Sequence, residues 1–295
     1  MASIFNIRFK NYLLAYLLSG VLLLIIAWLF ELSVSVFILI AAVYLSGIFL
    51  GFAGMFFWRK SQESTADLLA IIDKQTSMAI TKTSDNINNA FNQHEYFHYL
   101  RSLIVPKIPL PPTRGWAASP DFISLAFREI IAKQPETIVE LGSGVSSLFI
   151  GHLLKDRQLK GHLHSVDHSS EFGGRTEELL RISEVNHKVS VYSAPITPHT
   201  INGKQWQWYD ISQLTADKID LLLVDGPIGT LQEKARYPAI PLLFDRLSPG
   251  AIVLLDDYFR KDELAIVQDW LREYPSLQLI AEINTEKGTA VLQKK

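Results

Sequence analysis

Apolar positions run almost unbroken from Tyr12 to Trp58, and between Asn11 and Trp58 the one formally charged residue is Glu31. As a single helix that stretch would measure about 72 Å at ~1.5 Å per residue. The hydrocarbon core of a bilayer is only about 30 Å thick. The run must therefore fold back or be interrupted, and the pattern predicts two spans, residues 12–30 and 33–58, joined by a turn at Glu31 and Leu32. Arg8 and Lys10 precede the first span, and Arg59 and Lys60 follow the second. Cationic flanks stay in the cytoplasm, and only a hairpin puts both pairs there. Gly47 and Gly51 form a small-xxx-small face that either packs on the first span or reflects ordinary membrane-helix composition. A cleaved signal peptide fits poorly, because the run is long, no small-residue cleavage site follows, and a second span comes at once.

The pattern changes twice more. Residues 61–103 are polar with spaced apolar positions (Leu68, Leu69, Ile72, Met78, Ile80, Ile87, Phe91) and lack Gly and Pro. This predicts one or two amphipathic helices, a stalk through which copies could associate, with spacing too irregular to specify a coiled coil. The Pro-rich segment VPKIPLPPTRG, Val105 to Gly115, marks a boundary. From Trp116 onward helical and strand-like runs alternate. Ser119-Pro120-Asp121 signals a helix start. Strands are predicted at residues 137–140, 163–167, 188–193, 219–225 and 251–256. Helices are predicted at 146–155, 176–186, 232–247 and 261–273. A last pair of strands meets at Glu286-Lys287-Gly288. The expected fold is α/β: a Rossmann-like, doubly wound, mostly parallel seven-stranded sheet with a C-terminal antiparallel hairpin, preceded by two transmembrane helices and a helical stalk. The domains are then 1–60, 61–115 and 116–295.

The chain has 295 residues, is 48% hydrophobic and carries a formal net charge of -2. That balance gives no basic footprint for nucleic acid. It contains no cysteine, which excludes disulfides, thiolate metal sites and a cysteine nucleophile.

The candidate chemistry lies at the strand ends. Glu140, Asp167, Asp225 and the pair Asp256-Asp257 close four of the five predicted parallel strands. Such ends share one edge of a parallel sheet, where ligands bind. A lone acid there is commonly a cap, but acids closing four strands point to a shared site. After the first strand, Gly142-Ser143-Gly144 allows a tight turn into a helix whose free N–H groups face a ligand. Asp167, ending the next strand, is placed to take ribose hydroxyls. Ser147 stands where a dinucleotide fingerprint has its third glycine, and no Walker lysine follows, so a P-loop is excluded.

The string ELGSG, Glu140 to Gly144, resembles motif I of class I S-adenosylmethionine-dependent methyltransferases. The resemblance covers Trp116 to the C-terminus. It implies that Gly142, Ser143 and Gly144 with Glu140 lie against the methionine part of the cofactor, that Asp167 and His168 border the ribose, and that Ser193 and Ala194 border the adenine. VDGPIG and LLDDYFR resemble the fourth- and fifth-strand motifs of the catechol O-methyltransferase-like branch. That implies a Mg²⁺ or other divalent ion on Asp225, Asp256 and Asp257, with Asp225 also beside the cofactor. Two positions depart from the branch. Asp257 replaces an asparagine, and Ile228 stands where the catalytic lysine is found. The general base is then His168 or an aspartate of the cluster, Asp225 or Asp256.

Other readings of these residues compete. Asp256 could cap the next helix while Asp257 faces solvent. Arg236 and Tyr237 either face the active site or serve as a surface ion pair and a packing residue. Trp206 and Trp208 read as core cover, and His162 and His164 as structural. HEYFH, His94 to His98, matches the zinc-protease pattern H-E-x-x-H but has no evident third ligand. The expected protein is a bacterial inner-membrane methyltransferase, both termini and the catalytic domain cytoplasmic, acting on oxygen of a small-molecule or lipid-linked acceptor. A non-catalytic membrane scaffold and, further off, an NAD-dependent oxidoreductase are the rivals.

Overall fold

The computed structural model describes residues 2–31, 33–115 and 117–295, with side chains from Lys10 onward. The Arg8 side chain, Leu32 of the expected turn and Trp116 at the expected domain start lie outside the described residues. The chain divides into two compact units, Met1–Ser84 and Asp85–Lys295.

The first unit holds α1 (Ala2–Leu29) and most of α2 (Val34–Leu103). Residues Lys10–Leu29, with mean hydropathy 2.4, and the apolar part of α2, with mean hydropathy 2.5, are each long and apolar enough to cross a membrane. Leu14, Leu18, Leu22, Phe49 and Leu50 are exposed rather than packed. Between the helices the ring of Tyr16 lies on Gly47, where a Cβ would stand 2.2 Å from its hydroxyl. Tyr16 and Tyr44 pack with centroids 4.7 Å apart. The second span and the stalk, expected as separate elements, form one continuous helix of 70 residues. No Gly or Pro interrupts it after Gly54.

The second unit begins at Asp85, inside the expected stalk. Its sheet combines β1 (Thr137–Leu141), β2 (His162–Asp167), β3 (Val189–Ser193), β6 (Ile219–Val224), β7 (Leu247–Asp256), β8 (Leu277–Ile283) and β9 (Thr289–Lys294). The order is β3-β2-β1-β6-β7-β9-β8. The first five run parallel, and β9 is antiparallel to both β7 and β8. Both faces are covered, as the continuous apolar runs require. Ile138, Leu221, Leu223, Ile252 and Leu254 face a core shared with the end of α2, α3 (Pro120–Lys133), α4 (Val145–Asp156) and α5 (Ser170–Ile182). Val139, Leu222, Val224, Val253 and Leu255 face the opposite core, with α6 (Ala239–Leu243) and α7 (Lys261–Glu273). Each such side chain contributes about 1.5–3 kcal/mol when fully buried.

Three elements differ from expectation. The helix expected at 232–247 shrinks to α6 and one 3-10 turn, because Pro238 and Pro241 cannot sit within a longer helix. Helix α5 starts at Ser170, capped by Ser169. An antiparallel hairpin, β4 (Ile196–Ile201) with β5 (Lys204–Tyr209), forms a separate two-stranded sheet. It seals the core with Trp206 and Trp208, both buried.

Candidate active site

The register of the parallel strands lines up the residues that follow them. Leu141 pairs with Val166 on one side and Val224 on the other, and Val224 pairs with Leu255. Asp167 pairs with Ser193. Ser193, Asp167, Gly142, Asp225 and Asp256 therefore form one row along the C-terminal edge. At about 4.8 Å per strand, Asp167 and Asp225 stand roughly 10 Å apart across that row. The order reverses between β1 and β6, so the crevice opens between Gly142 and Asp225. Gly142 has φ +105°, and a Cβ there would lie 3.5 Å from the Asp225 carbonyl carbon.

On the β2 side the carboxylates are held by neutral donors. The Ser143 backbone N–H and hydroxyl donate to Asp167 Oδ2 at 3.0 and 2.7 Å, and the Ser169 N–H donates to Oδ1 at 2.8 Å. His168 Nδ1 lies 3.7 Å from Asp167 Oδ1, and its ring faces Tyr209 at 6.1 Å. Ser193 is exposed at the end of β3, while Ala194 is buried with its N–H on the Asp167 carbonyl. Glu140 sits beneath the glycine turn, 1% exposed. It accepts hydrogen bonds from the hydroxyls of Ser147 and Ser165, and Ser147 also accepts from the Gly144 N–H. Burial pushes the Glu140 carboxyl up to about 7, against the pull of those serines. Its place in the structure is a brace for the turn.

On the β6–β7 side the carboxylates meet cations. Arg236, 3% exposed, lies in the loop after β6. Lys234 pins that loop to α7 through its N–H on Asp262 and its ammonium on Asp269 at 2.6 Å. Arg236 Nη2 donates to Asp257 Oδ2 at 2.6 Å, to Asp225 Oδ1 at 3.3 Å and to the Asp225 carbonyl at 2.9 Å. Its Nη1 donates to the Asp256 carbonyl at 2.8 Å. Arg260 reaches Asp257 Oδ1 at 2.8 Å, and Lys287 lies 3.9 Å from Asp256 Oδ2. Burial opposes the charge on Arg236, but Asp225, Asp257 and Glu263 outweigh it and raise its pKa. Burial, with Asp225 and Asp257 nearby, holds the Asp256 carboxyl well above the usual range. Burial likewise raises Asp225, against the pull of Arg236.

These contacts decide between the readings left open. Asp256 does not cap α7, whose N-cap is Arg260 with no side-chain cap bond. Asp257 adopts φ +62°, an uncommon backbone for a non-glycine residue, and anchors two arginines. Arg236 belongs to the acidic cluster, whereas Tyr237 stacks on Trp206 at 4.6 Å and bonds Glu273. His162 and His164 bond Ser190 and Tyr192. His94 and His98 face each other at 3.2 Å on α2, and among the described residues no third ligand joins them.

Oxygens of Asp225, Asp256 and Asp257 lie within 4.8 Å of one another, a hard donor set suited to Mg²⁺. Both Asp256 oxygens are buried without a hydrogen-bond donor, an unmet demand for a cation or a proton. The Asp225 side chain, 18% exposed, can be reached from the crevice. These two carboxylates fit a divalent ion. Asp257 belongs to the same oxygen cluster and also pairs with Arg236 and Arg260.

Residues 139–258, which enclose this row, match the family model described as a methyltransferase domain. The chain carries a methyltransferase domain. Its sheet, with the reversed strand β9 between β7 and β8, has the class I architecture that the sequence motifs resemble. A Podospora anserina methyltransferase solved with SAH is 15% identical, with 72% of this chain and 96% of that one covered and a TM-score of 0.49. The O-methyltransferase TomG from Streptomyces achromogenes, solved with SAM, is 15% identical over 67% of this chain and 94% of that one, TM-score 0.46. A Bacillus cereus O-methyltransferase solved with SAH is 12% identical over 69% and 90%, TM-score 0.45. No curated protein sequence matches the chain.

The methyltransferase domain also uses residues that sequence reasoning passed over. Tyr209 is buried between the two halves of the site, and a Cβ on Gly226 would stand 2.2 Å from its hydroxyl. Burial, and then the charge of Asp167, raises the Tyr209 phenol. The available signal was the tripeptide Trp208-Tyr209-Asp210, which has no periodicity of its own. Arg260 and Glu263 enter from the start of α7, Arg260 only three residues past Asp257, whereas Lys287 comes from the β8–β9 loop and is brought to the cluster by the fold.

Proposed function

We propose that the domain transfers a methyl group from S-adenosylmethionine to an oxygen of a small-molecule or lipid-linked acceptor, and that the apolar hairpin holds it at a bacterial cytoplasmic membrane. The observation that carries this reading is the row in which the Gly142 turn and Asp167 face Asp225 and Asp256 within the matched residues. Bound there, the cofactor supplies an electrophilic methyl group on a charged sulfur. Asp167 takes the ribose hydroxyls in place of water, and the Gly142–Gly144 turn lets the backbone approach the methionine part. Ser193 and the Ala194 backbone border the adenine. Asp225 is the most accessible carboxylate of its cluster, and its raised pKa suits it to accept the acceptor's hydroxyl proton. His168, beside Asp167, is the second candidate base. A divalent ion on Asp225 and Asp256 would make that hydroxyl more acidic. The row then aligns acceptor and methyl donor, a largely entropic contribution.

The cationic residues flanking the hairpin support cytoplasmic termini, and helix 61–84 offers a surface for association between copies. The test is titration of the detergent-solubilised full chain with S-adenosylmethionine, followed by methyl transfer to membrane-extract fractions. Micromolar binding and transfer are expected. Transfer should fall at least tenfold in Asp225→Asn. Binding without transfer to any fraction would favour a scaffold, and preference for NAD an oxidoreductase.

A further inference from the structure

Outside the row, the second unit contains a cavity of about 880 Å³ between the last turns of α2, the start of α3 and the β8–β9 loop. Its size lies within the range of roughly 300–1,000 Å³ typical of small-ligand sites. The α2 wall presents Asn88, Asn92, Tyr96 and Tyr99, which recur at helical spacing, and Asn284 faces them from the loop. Asparagine is among the poorer helix formers, yet Asn86, Asn88, Asn89 and Asn92 stand together inside α2. Local stability does not explain that choice.

The floor is cross-linked by hydrogen bonds, whereas the α2 wall keeps unpaired polar groups. Gln93 Nε2 donates to Asp121 Oδ2 at 2.6 Å, which also accepts the Glu286 N–H at 2.6 Å. Asn89 and Arg114 both donate to Glu286. Among the described residues, the side-chain amides of Asn88, Asn92 and Asn284 have no hydrogen-bond partner, and the Tyr96 hydroxyl has none. No aliphatic hydrocarbon side chain among the described residues lines the space. Among the described residues the acids Asp85, Glu95, Asp121 and Glu286 outnumber the one lining cation, Arg128, which disfavours phosphate or carboxylate ligands. Amides that both donate and accept, beside two tyrosine rings, complement a ligand that alternates hydroxyls with C–H faces.

We propose that this cavity binds an uncharged oligosaccharide. Glu286 lines it, and the next residue, Lys287, reaches toward Asp256 across the same loop. A glycan seated there is therefore held beside the acidic end of the row, as the sugar portion of the methyl acceptor. This link to catalysis rests on the function proposed above, whereas the binding itself does not.

The test uses the full chain in a sugar-free zwitterionic detergent, with chitotriose, maltotriose and an uncharged tripeptide as probes in saturation-transfer NMR. At least one oligosaccharide should bind. Asn92→Ala and Tyr96→Ala, both at exposed positions, should each weaken it at least tenfold while S-adenosylmethionine affinity stays within twofold. Absence of saccharide binding, binding indifferent to both substitutions, or preference for the tripeptide would overturn the proposal. Saccharide binding in a protein that ignores S-adenosylmethionine would instead overturn the methyl-transfer reading.

Discussion

The two halves of the strand-end row hold their carboxylates in opposite ways. Asp167 and Glu140 are satisfied by hydroxyls and backbone N–H groups from Ser143, Ser147, Ser165 and Ser169. Asp225, Asp256 and Asp257 are faced by Arg236, Arg260 and Lys287. Neutral donors resemble ribose hydroxyls, so the first half is ready for a polyol without rearranging charge. Fixed cations keep the second half compact while leaving Asp256 short of a donor, which suits it to a proton or a divalent ion.

The largest effect should come from removing the cation. Arg236→Met leaves buried carboxylates facing one another, and loss of one partner of a buried pair costs about 3–5 kcal/mol. Urea unfolding should show that loss, and a loss below about 1 kcal/mol would mean that the cluster is not held by Arg236. The neutral half should respond to pH instead. The Glu140 carboxyl is raised from 4.5 to about 7, so the folded state binds its proton more tightly than the unfolded chain does. Its contribution to stability is full below about pH 4.5 and falls as pH rises toward 7. The linkage amounts to on the order of 3 kcal/mol. Glu140→Gln should flatten that slope in denaturation series from pH 4.5 to 7.5, and an unchanged slope would place it elsewhere. A smaller change is expected for Ser143→Ala, which removes one hydroxyl from a charged acceptor at about 1.5–3 kcal/mol. It should raise the S-adenosylmethionine dissociation constant with less effect on unfolding.

Much of this arrangement was legible in the chain. Apolar runs ending in Asp or Glu identified the strands, and the glycine turn oriented the crevice. The two lipid-length runs stood out because their apolar residues have no polar alternation. The β4–β5 hairpin was missed although Asn202-Gly203 and the alternating Gln205-Trp206-Gln207-Trp208 signal it, because the β4 half, Ile196 to Ile201, carries Pro198 and no such alternation. Nor could spacing reveal that Arg236 enters the cluster, because its position depends on how Lys234 fastens the loop to α7. The boundary at Asp85 was hidden by a helix that continues unbroken from an apolar to a polar stretch.

The central claim is that the neutral half of the row is a nucleoside site for methyl transfer. Calorimetric titration of the full-length chain with S-adenosylmethionine, side by side with Asp167→Ala, tests it most directly. Micromolar binding by the wild type, at least a tenfold loss in Asp167→Ala and no competition by NAD are expected. Wild-type protein that binds no S-adenosylmethionine, or binds it equally well without the Asp167 carboxylate, would contradict it.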